Sequence, residues 1–237
     1  MTAVERAEAT VSDGPLRATL TARLLDVEVA AGGPCRVELT VTAEGGTLFL
    51  AVGTDRRTRR PAYVRVSGTV AGVQLDDPAG AGAGAGVGVG VGVGDGPAGA
   101  VPVEPGSPHR QVVLVNQFVA LERARELVIP GASQELRVVL SRPLPLATTV
   151  PQALAGLAST PLDVEVVAEL TRDDDALARS VEDAAAVVRG RWTAATSNEL
   201  EAAVATLLAL RVPESRAALS ALRDHPNALV REAAAAT

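Results

Sequence analysis

The chain has 237 residues, of which 47% are hydrophobic, so it can bury the core of one large domain or of two modest ones. All 22 basic residues are arginine, which excludes chemistry that needs a lysine amine, such as a Schiff base or a phosphate-loop lysine. The net charge of −6 disfavours non-specific binding to nucleic acid, and the single cysteine, Cys35, excludes an internal disulfide or a multi-cysteine metal site.

Residues 1–15 predict a flexible polar leader. They carry Glu5, Glu8 and Asp13 and lack the apolar centre of a secretory signal. The chain has no run of 18 bulky apolar residues, so the sequence predicts no membrane span. Its heavy use of alanine, valine and arginine is typical of a GC-rich bacterial genome. We therefore expect a cytoplasmic bacterial protein.

Strand patterns begin at residue 16. Apolar and polar side chains alternate with period two over 20–29, 36–42 and 62–70, as they do in half-buried strands. The segment 47–52 follows a glycine turn and is predicted to be the hairpin partner of the strand before it.

A low-complexity segment interrupts the strands at about 76–108. Its centre, residues 80–94, alternates glycine with alanine or valine. Glycine loses more backbone entropy on ordering than any other residue, and these small side chains bury little surface in return. The sequence therefore predicts a disordered glycine-rich loop.

Two strands after this loop are predicted to form the centre of the β region. Residues 110–121 include an apolar run at 112–115, which is typical of a central buried strand, and 134–140 alternate cleanly. A short helical turn is expected around Leu154, and 162–170 form the last strand. About seven strands predict an antiparallel β-sandwich over 16–171, which resembles an immunoglobulin-like domain by pattern only.

The hydrophobic period becomes helical at residue 173, which predicts a helical unit over 172–237. Aspartates from Asp173 onward suit the start of a first helix, and Thr196 has capping-box spacing to Glu199 at the start of a second. Pro213 and Pro226 are predicted to begin two further helices. The fold class is thus α+β, an antiparallel β-sandwich followed by a short α-helical unit.

The last 35 residues or so resemble a HEAT repeat. The residues that match the family's Asp-Pro-x-x-x-Val-Arg-x-Ala-Ala pattern, with His225 inserted before the proline, are Asp224, Pro226, Asn227, Val230, Arg231, Ala233 and Ala234. The resemblance implies helices that stack into solenoids and mostly bind other proteins, with the arginine making a structural contact between helices. Because a solenoid needs about three repeats to bury its own face, these helices should lean on the sandwich, a second copy or a partner.

The helical unit supplies the candidate protein interface. The candidates are Trp192, Leu200, Val204, Leu207, Leu229 and Arg231. Trp192 either fills the junction between sandwich and helices or anchors an interface, since tryptophan is enriched among binding hot spots. The sequence thus favours a non-catalytic adaptor or assembly module that binds another protein, or a second copy, through the helical face or an exposed sheet edge.

A cluster of arginines is the candidate anion site. It comprises Arg56, Arg57, Arg59 and Arg60, whose guanidinium forks suit phosphates and carboxylates. The alternative for this cluster is a solvated hairpin tip. If it binds anions, the protein would be a regulatory domain for an anion or small ligand, which is our second hypothesis.

No cofactor or metal motif is recognised in the sequence. The aspartates at 173–175 lack the glycine-punctuated calcium loop, and His109 and His225 fall in no zinc motif. Cys35 has no nearby base and is predicted to be a structural thiol. An enzyme whose site is assembled from distant residues between sandwich and helices is the third hypothesis.

Overall fold

The computed structural model describes residues 4–54, 60–78, 99–156, 159–190 and 197–235. Within these residues the chain is a mixed α+β protein. The strands are β1 (Arg6–Asp13), β2 (Leu16–Leu24), β3 (Glu28–Ala30), β4 (Arg36–Glu44), β5 (Leu48–Val52), β6 (Arg65–Val70), β7 (Val73–Leu75), β8 (Gly99–Val103), β9 (His109–Leu114), β10 (Ser133–Pro143) and β11 (Pro161–Thr171). The α-helices are α1 (Val150–Ala155), α2 (Asp174–Gly190), α3 (Ser197–Leu210), α4 (Pro213–Ser220) and α5 (Ala228–Ala235), and two 3-10 helices span Val115–Gln117 and Leu121–Glu126.

The strands form two larger sheets and one small one. The first has the order β1-β2-β4-β9 and is antiparallel throughout. The second has the order β3-β11-β10-β6-β7, with β3 parallel to its neighbour, and β5 pairs with β8 apart from both. Alternate side chains of the two larger sheets enter one apolar cluster, which includes Leu20 and Leu39 from the first and Leu140 and Leu170 from the second.

The predicted leader is instead an edge strand. Strand β1 pairs with β2 over its whole length, from Arg6 opposite Arg23 to Asp13 opposite Leu16. Its inward residues, Ala7, Ala9 and Val11, are half-buried against the apolar cluster. An edge strand buries only one face, and in β1 that face carries small apolar side chains, so the segment is polar overall. The prediction of a flexible leader was therefore wrong.

The glycine-rich region is shorter than predicted. Strand β8 lies inside the range assigned to the loop, and β5 pairs with it rather than forming the expected hairpin with β4. Residues 79–98, which include the whole glycine repeat at 80–94, lie outside the described residues. The pairing of β5 was mispredicted because its true partner lies about 50 residues away, within the segment predicted to be a glycine-rich loop.

Strand β9 differs most from its prediction. It ends at Leu114 rather than at residue 121, and it lies at the edge of the first sheet rather than in the centre. Val112, which was expected to be buried, is 53% exposed. Strand β10, in contrast, is central in the second sheet, where it pairs with β6 on one side and with β11 on the other.

The end of β9 is set by Asn116. Its side-chain oxygen accepts from the backbone nitrogen of Cys35 at 2.9 Å, and its side-chain nitrogen donates to the carbonyl of Gly33 at 2.9 Å. Asn116 is 1% exposed. The amide side chain therefore takes the place of the next ladder bonds, and the chain leaves the sheet in a 3-10 turn.

Sequence signals fix the helix starts. The Asp173 carboxylate accepts from the backbone nitrogen of Ala176 at 2.8 Å at the start of α2, as predicted. Pro213 is in the first turn of α4. Helix α5 begins two residues after Pro226, because the side chain of Asn227 accepts from the backbone nitrogen of Leu229 at 2.9 Å and so serves as its cap.

The helices pack together and against the β region. Helices α2 to α5 share a second apolar cluster, against which Ala30 of β3 also packs. Arg211, in the left-handed region at φ 53°, donates to the carbonyl of Asn116 at 3.0 Å, and Arg125 pairs with Asp174 at 2.7 Å. Of the three supports expected for the helices, the structure therefore provides contact with the β region of the same chain.

Replacing Asn116 by alanine is expected to destabilise the protein by about 3 kcal/mol, because the backbone groups of Gly33 and Cys35 would be left buried without partners. The measurement is urea unfolding followed by far-UV circular dichroism. Asn198→Ala, on the exposed side of α3, is the matched control and should change the free energy of unfolding by less than about 0.5 kcal/mol. Equal effects of the two substitutions would contradict this role for Asn116.

Candidate functional site

Arg60, the described member of the predicted anion site, is occupied within the protein. Its two terminal nitrogens bind the two carboxylate oxygens of Asp77 at 2.8 and 2.5 Å, and its guanidinium lies 5.0 Å from the ring centroid of Phe118. Arg60 is 9% exposed, so it is not part of a solvated hairpin tip. The other members of the predicted site, Arg56, Arg57 and Arg59, lie outside the described residues.

The apolar stripe of α3 is covered by the helices of the same chain. Leu200, Val204 and Leu207 are each at most 5% exposed and lie in the cluster formed with α2, α4 and α5. Leu229 is half-buried against the same cluster. These four side chains therefore form the interior of the helical unit and not an open binding face, which corrects the expectation that a partner would cover them.

The two remaining interface candidates have different outcomes. Arg231 is exposed, but its guanidinium donates to the carbonyls of His225 and Pro226 at 2.7 Å each, in the turn before its own helix. Trp192 lies outside the described residues. The ring of His225 in turn donates from Nε2 to the carbonyl of Val188 at 3.1 Å, so this turn is tied to α2.

Cys35 lies in the apolar core. It is fully buried, and burial, with a smaller contribution from the charge of Asp26, raises the pKa of its thiol to about 12. The thiol is therefore protonated at neutral pH and is a poor nucleophile. The prediction of a structural thiol agrees with this environment.

A different feature remains open, namely the free edge of β9. The strand pairs with β4 on one side, and none of the described strands pairs with its other side. The backbone nitrogen of Val115 donates to the carbonyl of Cys35, on the side of β9 that pairs with β4. Because backbone groups point to alternate sides along a strand, those of every second residue before Val115 also point toward β4. The backbone groups of Arg110, Val112 and Leu114 consequently face the free edge.

An open depression of about 360 Å³ lies beside the first half of this edge. It is formed by the end of β5 and the start of β9. Its lining residues are Val52, Gly53, Thr54, His109, Arg110 and Gln111. None of these six residues carries a carboxylate, and two carry basic side chains.

A buried arginine adjoins the depression. Arg142, on β10 of the opposite sheet, is 2% exposed. Its Nη1 donates to Oε1 of Gln111 at 3.1 Å and its Nη2 donates to the carbonyl of Ala51 at 2.7 Å, while its Nε has no acceptor among the described residues. Arg142 thus links β5 to β9 through two neutral acceptors and has no carboxylate partner in the described part of the chain.

Burial lowers the pKa values of two basic groups beside the depression. Loss of hydration lowers the pKa of Arg142 to about 10, so the group still carries its charge at neutral pH. The pKa of His109 is lowered as well, first by partial burial and then by the charge of Arg142. The depression is therefore a region of positive potential with a histidine that resists protonation.

The sequence contains a signal for Arg142 that the prediction did not use. The alternation over 134–140 continues to the end of β10, where it places Arg142 on the same inward face as Leu136, Val138 and Leu140. Arginine is almost never fully buried without a partner, so such a position marks a site. The link to His109 and Gln111 needs the pairing of distant strands and cannot be deduced from spacing.

Comparison with known proteins gives no relative from which to infer a role. No model of a protein family matches the chain, and no curated protein matches it significantly. Among the described helices, none combines the length and the hydropathy that crossing a lipid bilayer requires.

Lowering the pH from 7.5 to 5 is expected to destabilise the protein through His109. Its pKa is lower in the folded chain than in the unfolded one, so below about 6.5 the unfolded chain takes up the proton first and gains stability relative to the folded one. The measurement is the free energy of unfolding in urea at both pH values. His109→Gln should lose less stability over this range than the wild type, and identical losses would contradict the assignment.

Proposed function

We propose that this protein is a non-catalytic binding module that accepts an extended segment of another protein on the free edge of β9. The observation that carries the proposal is a six-residue edge strand whose outer backbone groups have no strand partner among the described residues. Strand addition supplies main-chain hydrogen bonds, and pockets for particular side chains or ends supply specificity.

Three features favour β9 over the other sheet edges. Strands β3 and β7 have only three residues each. Val4, which precedes β1, exchanges two backbone hydrogen bonds with Val167, at 3.2 and 3.0 Å, and so ties the start of β1 to the second sheet. Strand β9 is twice as long as β3 or β7, carries the 53%-exposed Val112 on its outer face and borders the depression.

The same proposal assigns a supporting role to the rest of the chain. In it, the two larger sheets form a β-sandwich, and α2 to α5 form a HEAT-like unit that braces the sandwich rather than binding a partner. The shared apolar cluster of the two sheets supports the first statement. The burial of Leu200 and Leu207 and the contact of Arg231 with the turn before α5 support the second.

The alternatives have less support. A regulatory domain that binds anions through the arginine cluster loses Arg60, which is engaged by Asp77. An enzyme with a site between sandwich and helices would need polar groups that converge at that junction. Asn116 and Arg211 meet there, and Glu122 and the Arg60–Asp77 pair lie within electrostatic reach of Arg211. The side chain of Asn116 is bound by the backbone of Gly33 and Cys35, and the contact of its backbone carbonyl with Arg211 joins the two parts of the chain.

Val112→Pro tests strand addition directly. The substitution removes a backbone donor that faces the free edge and none that faces β4, so the fold should tolerate it, as edge strands tolerate proline. Binding of a β-prone probe, the capped hexapeptide acetyl-(Thr-Val)₃-amide, should weaken at least tenfold, since a hydrogen bond and the fit of the strand are both lost. The measurement is an NMR titration of the labelled chain that follows the β9 amides.

Val112→Thr is the matched control. It keeps the backbone donor and a β-branched side chain, so it should bind the probe within about threefold of the wild type. Circular dichroism melts of both variants check the fold. Equal binding by Val112→Pro and the wild type would contradict strand addition, and a concentration-dependent dimer that Val112→Pro abolishes would identify a second copy as the occupant.

A further inference from the structure

We propose that the depression at the start of β9 binds the C-terminal carboxylate of the added strand and that Arg142 supplies the cation for it. This inference rests on the proposed function and specifies the partner, namely a protein whose extended segment ends in a free C-terminus. It assigns a binding role to Arg142 and Gln111 that their packing alone does not require.

The direction of the added strand places its end at this site. Every pair in the first sheet is antiparallel, and a strand added to β9 in the same sense runs opposite to it. The carboxyl end of such a strand lies beside His109, the first residue of β9. The depression is lined by the residues of β9 at that end.

The end of β5 makes a chain terminus a better fit than a continuing chain. Val52, Gly53 and Thr54 line the depression together with the start of β9. A strand that follows the free edge toward His109 therefore meets the end of β5. The volume of about 360 Å³ accommodates a terminal carboxylate, and a segment that continued along the edge would have to pass the end of β5.

The charges at the site suit one anion. Among the described residues, Arg142 is buried with neutral acceptors only, and Arg110 is exposed at the rim. None of the described lining residues carries a carboxylate that would compete. A second depression of similar size, at the β6–β7 hairpin, has Arg137 in its lining, but that arginine is paired with Glu135 at 2.8 Å and Glu165 at 3.1 Å. The His109 end of β9 is thus favoured over that site.

Gln111 connects the buried arginine to the ligand. Gln111 lines the depression, and its Oε1 accepts from Nη1 of Arg142 at 3.1 Å. A ligand carboxylate that replaces this amide oxygen converts a neutral acceptor into a charged one. Hydrogen bonds between a guanidinium and a carboxylate are shorter and about twice as strong as neutral ones. Rotation of Gln111 is therefore the step that admits the carboxylate.

The test compares two probes that differ in one group, acetyl-(Thr-Val)₃ with a free C-terminal carboxylate and the same peptide with a C-terminal amide. The wild-type chain should bind the acid about tenfold more tightly than the amide, with shifts of the His109 ring signals that the amide does not cause. Arg142→Met should abolish this preference. Equal affinities of the wild type for acid and amide would overturn the inference while leaving strand addition intact.

Gln111→Glu provides a second variant that does not alter the buried arginine. It is isosteric with the wild type and places an internal carboxylate next to Nη1 of Arg142, so it should remove the preference for the acid without weakening binding of the amide. Retention of the full preference in this variant overturns the inference, whatever the folding of Arg142→Met.

One further probe and one further outcome separate the sources of failure. An amide-capped peptide that ends in glutamate tests for an acidic side chain, and binding as tight as that of the acid would overturn the assignment to a chain terminus. If neither hexapeptide perturbs the β9 amides, the proposed function fails, and the inference fails with it. Acid-selective binding that Gln111→Glu abolishes, with Val112→Pro weakening both peptides, supports the two proposals together.

Discussion

The buried amide of Asn116 is the contact on which the arrangement of the chain depends. The side-chain amide ends β9 by binding the backbone of Gly33 and Cys35. The backbone carbonyl of Asn116 accepts a hydrogen bond from the guanidinium of Arg211. One residue thereby fixes the length of the edge strand, the loop before β4 and the position of the helical unit. Because all of these groups are buried or partly buried, their hydrogen bonds have no water to replace them.

This junction explains why the helical face is closed and the sheet edge is open. Arg211 follows α3 directly and holds that helix against the 3-10 turn at Val115–Gln117. The apolar stripe of α3 is then enclosed by its neighbouring helices. Strand β9, cut short by the same turn, has no further strand beside it among the described residues. The exposed edge of β9 and the covered face of α3 therefore both follow from the packing of α3 against this turn.

Local sequence patterns predicted the parts of this fold that depend on local physics. The alternation in β10 and β11, the carboxylate cap of Asp173 and the proline at the start of α4 all act within a few residues, and the structure contains each of them. The overall class, α+β with several antiparallel pairs, followed from these patterns.

The failures concern non-local partners. An apolar run such as 112–115 has the same composition whether a second strand flanks it or not, so the edge position of β9 could not be predicted from it. Arg60 was grouped with its arginine neighbours because its partner, Asp77, is 17 residues away and the stacking ring, Phe118, is 58 residues away. The depression likewise joins residues from the end of β5 and the start of β9, and Arg142 beside it belongs to a third strand, β10. Only the inward position of Arg142 was visible in the sequence.

The environment of Arg142 is unfavourable for the fold taken alone. Its lowered pKa, about 10, means that burial destabilises the charged form by roughly 3 kcal/mol relative to a solvated arginine. A leucine or methionine of similar volume would fill the same space without that cost, as replacements of buried charges in other proteins indicate. Two hydrogen bonds to neutral acceptors offset the lost hydration only in part, and Nε, which has no acceptor among the described residues, adds to the cost. A cation retained under these conditions is better suited to meeting an anion from outside the chain than to holding the chain together.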